Sequence, residues 1–203
     1  MNLLRSMILL SLASTMALGQ SSASAHTSAS PDRPEALIQR LYQEVLARPS
    51  VGIPYGTNLK IYAPYLSSAL LQRMDVATAC GRDFYRQHPE DPKLPEKPPF
   101  AWLELGTFTG GDDEDEFHTF HIERTQPEND GSIQINMRLT WGIPPEKPWF
   151  SYVAPVIRRQ NGRYVVDDVI YLKAAEGDAD WRLTQALSSG CNGRHWVGYH
   201  DVK

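Results

Sequence analysis

Asp167 and Asp168 are adjacent carboxylates inside the run Tyr164-Val165-Val166-Asp167-Asp168-Val169-Ile170-Tyr171. Paired acids suggest general acid–base chemistry. Neighbours on a strand point to opposite faces, so these two are not expected to act at one site. Asp168 is expected on the face of Tyr164, Val166, Ile170 and Leu172, and Asp167 on the face of Val165, Val169 and Tyr171. An aspartate among apolar side chains in a pocket would have a raised pKa and could serve as a base. The plainer reading is an aspartate bonded to a neighbouring arginine or a loop amide.

Glu104 alternates with Phe100, Trp102 and Gly106, so an acid beside an aromatic wall is one expectation and a solvated glutamate the other. His118 and His121 invite a metal, but on a strand residues three apart face opposite ways, so no metal site is expected. His121 by itself is an alternative acid or base, on the face of Phe117, Thr119 and Glu123. The acidic run 112–116 follows Gly110-Gly111 but lacks the spacing of a calcium loop, which makes it a solvated turn. Among many large aromatics, Tyr65, Trp102, Trp149 and Tyr171 are candidates for lining a ligand pocket, with core and interface roles as the alternative. No nucleophile elbow or phosphate loop appears, and no cofactor is expected.

Two cysteines, Cys80 and Cys191, are present in the 203 residues. In an exported protein they are most simply one disulfide; a redox-active or nucleophilic thiol is the alternative, and no C-x-x-C spacing favours it.

The elements that must position these residues show in the periodicity. Leu37, Ile38, Leu41, Tyr42, Val45 and Leu46 recur at helical spacing after Pro31-Asp32-Arg33-Pro34, with Asp32 or a neighbour as cap. Residues 50–60 carry Gly52, Pro54, Gly56 and Asn58 and read as a loop. A second helix is marked by Leu66, Leu70, Leu71, Met74, Ala77 and Phe84 and stops before His88-Pro89. The stretch 90–99 is a proline-rich connector. Residues 100–109, 116–125 and 133–141 then read as strands. The last alternates cleanly, with Ile133, Ile135, Met137, Leu139 and Trp141 on one face. Two β-branched and aromatic runs flank Asn161-Gly162, whose tolerance of positive φ suits a tight hairpin. Pro155 predicts a bulge or an edge within the first of them. Residues 180–187 suit a short last helix, after which Cys191 can reach Cys80. Helices first and an antiparallel sheet after them make an α+β fold.

Ala63-Pro64-Tyr65-Leu66-Ser67-Ser68-Ala69-Leu70, Lys97-Pro98-Pro99-Phe100, Trp149 and Val165-Val166-Asp167-Asp168-Val169-Ile170-Tyr171 together resemble a bacterial branch of the nuclear transport factor two-like (cystatin-like) cone fold, a group of exported domains of unknown function. The resemblance runs roughly from Pro34 to Cys191. It implies N-terminal helices packed on a curved, mainly antiparallel sheet, and carries no catalytic residues with it. Other branches include isomerases, dehydratases and binding modules, so the fold leaves the activity open.

The start of the chain has a short positive segment, an apolar run at 7–18, and small residues Ala23-Ser24-Ala25. That predicts a signal peptide over 1–25, cleaved after Ala25 or earlier after Gly19, then a disordered leader at 26–31 and a single domain over 32–203. The expected location is periplasmic or secreted, without a stable membrane anchor. Charged groups make up 22% of the chain, the net charge is -4, and no basic face shows, so nucleic acid is not an expected partner. The leading expectation is an exported, non-enzymatic module that binds a protein or small ligand through its sheet, in an envelope or inter-bacterial defence role. The alternatives are a small cone-fold enzyme of isomerase or hydrolase type using Asp168 or His121, and a subunit that forms homodimers.

Overall fold

The computed structural model describes residues 33–89, 99–111, 117–142, 145, 147–172 and 180–198. Expectations for the signal peptide, the leader, Asp32, the run 112–116 and most of the 90–99 connector lie outside these residues.

The fold is α+β: four helices and a five-stranded antiparallel sheet, in the order β1-β2-β3-β4-β5, among the described residues. Helix α1 spans Pro34–Ala47, with proline in its first turn and Ala36, Leu37, Ile38, Leu41, Tyr42 and Val45 buried. Helix α3 spans Ser68–Gln87 and buries Leu70, Met74, Ala77, Cys80 and Phe84. Its cap is Ser67, whose hydroxyl accepts from Leu70 N at 2.9 Å. Between them a helix α2, Gly56–Tyr62, occupies much of the stretch that glycine and asparagine mark as a loop. Tyr62 justifies it: the ring is fully buried against Phe108, and the hydroxyl donates to Arg48 O at 2.6 Å.

The sheet comprises β1 (Phe117–Pro127), β2 (Ile133–Trp141), β3 (Trp149–Gln160), β4 (Arg163–Leu172) and β5 (Trp181–Arg182). Asn161 and Gly162 turn the β3–β4 hairpin at φ 53 and 80. The alternation in β2 places Ile135, Met137, Leu139 and Trp141 in the core, in one cluster with buried residues of α1, α3 and β4. Strand number therefore matches expectation, but one member does not.

Residues 100–109 are not a strand. They form a 3-10 turn over Ala101–Leu103 and then a tight loop. Gly106 N donates to Gly111 O at 2.6 Å, and Thr109 N to Gly106 O at 3.0 Å, so the loop satisfies its own backbone without a ladder. Its apolar residues plug the core from the side: Phe108 and Phe100 are almost wholly buried. At Gly111 a Cβ would lie 2.2 Å from the Trp141 ring, so only glycine lets the loop close on that indole. The fifth strand is instead the two-residue β5, which pairs with Ile170 and Tyr171 of β4. The short last helix, α4 at Leu183–Ser188, starts after it rather than at Asp180.

Pro155 sits mid-sheet rather than at an edge, since β3 is the third strand of five. The β2–β3 register steps over it, from Gln134↔Val156 to Met137↔Val153. One position further along, Val156 pairs with Asp168 but Ile157 with Val166, so Asp167 is an extra, bulged residue on β4. The bulge resets the alternation. Val166, Val169 and Tyr171 all join the main core, whereas Ile170 packs with Ala154 and Val156 on the opposite face. Asp168 thus shares its face with Ile170 and Leu172 but not with Tyr164 and Val166, contrary to a straight strand.

After α4, the strands β6 (Cys191–Asn192) and β7 (His195–Trp196) form a small hairpin. Cys191 is bonded to Cys80, which pins this hairpin to α3. Asp83 of α3 accepts from Trp196 N at 2.9 Å, and the Trp196 ring meets Phe84 and Phe100 edge-on at 5.4 and 5.0 Å. That backbone N–H, with Arg86 and Gln87 adding to it, holds the Asp83 carboxyl below its ordinary value.

Candidate functional site

The β4 bulge builds the site. Because Asp167 is the inserted residue, it and Asp168 both line one cleft of about 410 Å³ between the N-terminal part of α3 and the outer face of the sheet. The two adjacent carboxylates are therefore brought to one place, which the opposite-face rule for a regular strand did not allow. Arg73, Glu128, Asp130, Arg158, Arg182 and Thr184 are among the other polar residues of its wall. A second cleft of about 360 Å³ shares Ala69, Arg73 and Thr184 with the first and continues between α3 and α4 over Val76, Leu187 and Cys191. The two make one groove, charged at the sheet end and apolar at the disulfide end.

Three of the carboxylates in the groove, Asp168, Asp167 and Asp130, each hold a different part of the structure. Asp168 accepts from Val169 N at 2.9 Å, Thr184 N at 3.1 Å, Thr184 Oγ1 at 2.9 Å and Arg182 at 3.2 Å. Four donors match the roughly four lone-pair sites of a carboxylate, so Asp168 is saturated. It serves as the cap of α4, whose first turn contains Thr184. Asp167 accepts from Ser67 Oγ at 2.6 Å and from Arg158 Nε at 3.0 Å, which ties the bulge to the start of α3. Arg158 also donates to Asp130 at 2.5 Å, and these carboxylates hold its guanidinium further above its usual range.

Asp130 is the site's clearest electrostatic signature. The Ser132 hydroxyl and amide, at 2.6 and 3.0 Å, together with Arg158, pull its pKa from 3.8 to about 2. A depressed carboxylate stabilises the fold fully above its unfolded value and loses that contribution as pH falls through the folded value. Asp130→Asn is therefore expected to lower the urea midpoint at pH 7 and to lower it much less at pH 2, where about half of the folded carboxyl is already neutral. Equal effects at both pH values would contradict the assignment.

The remaining candidates do not converge. His121 is exposed on β1, opposite Arg138, and His118 is exposed at a register shift near the start of that strand. Glu104 is exposed just past the 3-10 turn rather than on a strand face beside Trp102. Trp102 is buried, stacked on Phe100 at 5.1 Å. Trp149 is 41% exposed and lies flat on Trp141 at 5.1 Å. Tyr171 is buried and donates to Thr107 O at 2.8 Å; burial pushes its hydroxyl well above the ordinary tyrosine value. Of the four aromatics, Tyr65 alone lines one of the clefts described here, a separate one beside α1.

Arg73, Arg182 and Thr184 were not expected from the sequence. Arg73 is one exposed arginine on a helix with no motif around it, and Thr184 matters only because α4 begins beside the bulge. Comparison with protein families, curated proteins and solved structures returned no match to the chain.

Proposed function

We propose that the chain is an exported binding module of the cone type, and that its α3–α4 groove takes an extended peptide segment of a partner protein without transforming it. Arg73 is the observation that carries this reading. It stands at the junction of the two clefts, is exposed, and has no carboxylate partner among the described residues. An unpaired guanidinium between a polar wall and an apolar floor suits a carboxylate followed by an apolar side chain, with Val76 and Leu187 receiving the latter.

Other features support a binding role. The space between helices and sheet is filled by Tyr42, Tyr62, Met137, Leu139 and Trp141, each at most 2% exposed. Asp168 has its acceptor sites occupied, which leaves it poorly placed to take a proton from a substrate. The buried Cys80–Cys191 bridge supports an oxidising compartment outside the cytoplasm. Packing of α1 on β1 and β4, with α3 on β4, supports a sheet wrapped around its leading helices.

A screen of short peptides bearing an acidic residue beside leucine or phenylalanine, read by amide chemical shifts, tests the proposal. The expected result is a contiguous set of shifts at Ala69, Arg73, Thr184 and Leu187 that Arg73→Glu abolishes. Turnover in a hydrolase and isomerase panel, lost in a folded Asp168→Asn variant, would overturn it.

A further inference from the structure

Among the described residues the sheet has two margins, β1 and β5, because its strand order is β1-β2-β3-β4-β5. β5 is two residues long and its brevity guards it, whereas β1 runs for 11 residues, Phe117–Pro127. The outward N–H and C=O groups of β1 meet no other strand there. Natural edges are commonly blunted by lysine or proline. β1 contains no lysine, and its one proline is its last residue, Pro127. His118, Thr119, His121, Glu123 and Arg124 are exposed along it. Phe120 and Ile122 pack against the core and stay only half-buried, with the Phe120 ring 5.5 Å from that of Tyr42 in α1. Unpaired backbone beside half-covered apolar side chains is what an added strand satisfies.

The pattern along this edge selects the partner. Ile122 pairs with Met137 but Arg124 with Asn136, so Glu123 is an extra residue on β1. Neighbours on a straight strand face opposite ways, and such a strand cannot meet its own antiparallel copy with one residue opposite the next. The extra residue lifts that restriction. His121 and Gln126 pair with Arg138 and Gln134, on the outer face of the sheet, while Ile122 and Thr125 pair with Met137 and Ile135, which are core residues. Two copies related by a two-fold axis between Glu123 and Arg124 therefore match faces on both sides of the axis, His121 with Gln126 and Ile122 with Thr125. The same register sets Glu123 of each copy against Arg124 of the other, which makes two opposite-charge pairs. Glu123 lies 3.7 Å from Arg138 in its own chain, with both side chains about 40% exposed, and so weak a contact leaves its carboxylate able to take a second cation.

We propose that the β1 edge binds a second copy of this chain, antiparallel about that axis, so that the two sheets become continuous. The edge shares no residue with the groove lining, and the inference does not rest on what the groove binds. A single strand-to-strand seam of about 35 Å makes a small interface. A reversible dimer with a dissociation constant on the order of 10 µM is therefore expected.

Sedimentation velocity of the full chain from about 1 to 300 µM reads that equilibrium. Arg124→Glu alone and Glu123→Lys alone each place like charges across the axis, and each is expected to weaken self-association about tenfold or more. An equimolar mixture of the two variants restores opposite charges at both pairs and is expected to dimerise like the parent. Amide exchange along β1 is expected to slow as the parent's concentration rises. The inference is overturned by a parent that stays monomeric throughout the range, or by single variants that dimerise as the parent does. It is overturned equally by a mixture that stays monomeric while both variants keep the parent's circular dichroism.

Discussion

Replacing Cys80 and Cys191 together by serine is expected to lower the stability of the fold by roughly 4 kcal/mol and its melting temperature by about 10 °C. The bridge closes a loop of 111 positions, and cross-linking residues so far apart removes a large share of the unfolded chain's freedom. The native side of the balance changes less. Both sulfurs are buried, so two serine hydroxyls in their place add some desolvation cost. The β6–β7 hairpin, however, keeps its other anchors on α3: the Asp83 carboxylate under Trp196 N, and the Trp196 ring between Phe84 and Phe100. Gly190 helps it stay, because its φ of 72 and the Trp196 ring, 2.1 Å from where a Cβ would stand, leave room for no other residue. The double variant should therefore show a native near-ultraviolet spectrum and a lower urea midpoint. A loss below about 1 kcal/mol would mean that the unfolded chain is already restrained across this loop. A native spectrum lost at the outset would mean that the hairpin depends on the bridge itself.

How much of this could be read in the sequence differs from element to element, for physical reasons. The stripe from Leu37 to Val45 and the alternation from Ile135 to Trp141 are local patterns that report burial directly. Asn161-Gly162 names its own turn because positive φ is a local preference. The disulfide follows from having only two cysteines. The loop after Phe100 defeats the same logic: Phe100, Trp102 and Phe108 are apolar because they plug the core sideways, and alternation cannot tell that from a strand. The bulge at Asp167 is invisible for a different reason. It is defined by Val156 and Ile157 on the partner strand, so nothing within β4 announces it. The groove inherits this difficulty. It assembles Arg73, Asp130, Asp167 and Thr184, and each residue is an ordinary surface side chain until the fold brings it to the others.

Asp168→Ala is expected to lower stability by about 3 kcal/mol and to leave the protein folded, with α4 the first element to loosen. The estimate comes from its four donors. Bonds to neutral groups contribute about 1 kcal/mol each, and those to a charged carboxylate somewhat more. The Arg182 contribution is discounted because that side chain is 45% exposed. Truncation also orphans the amide of Thr184 and that of Val169, which the carboxylate alone serves from the side-chain direction. Asparagine does not restore the set, since its amide nitrogen must face a donor wherever it is turned. A double-mutant cycle with Thr184→Val isolates the hydroxyl bond at 2.9 Å and is expected to show a coupling of about 1 kcal/mol. The catalytic alternative forecasts something else: a base held for a substrate gains stability when it is neutralised, because active-site charges are strained in the resting protein. An Asp168→Asn variant as stable as the parent would therefore move Asp168 from cap to catalyst, whereas a matching loss in Asn and Ala, recovered by neither, keeps it as the residue that holds α4 against the bulge and so sets the width of the groove.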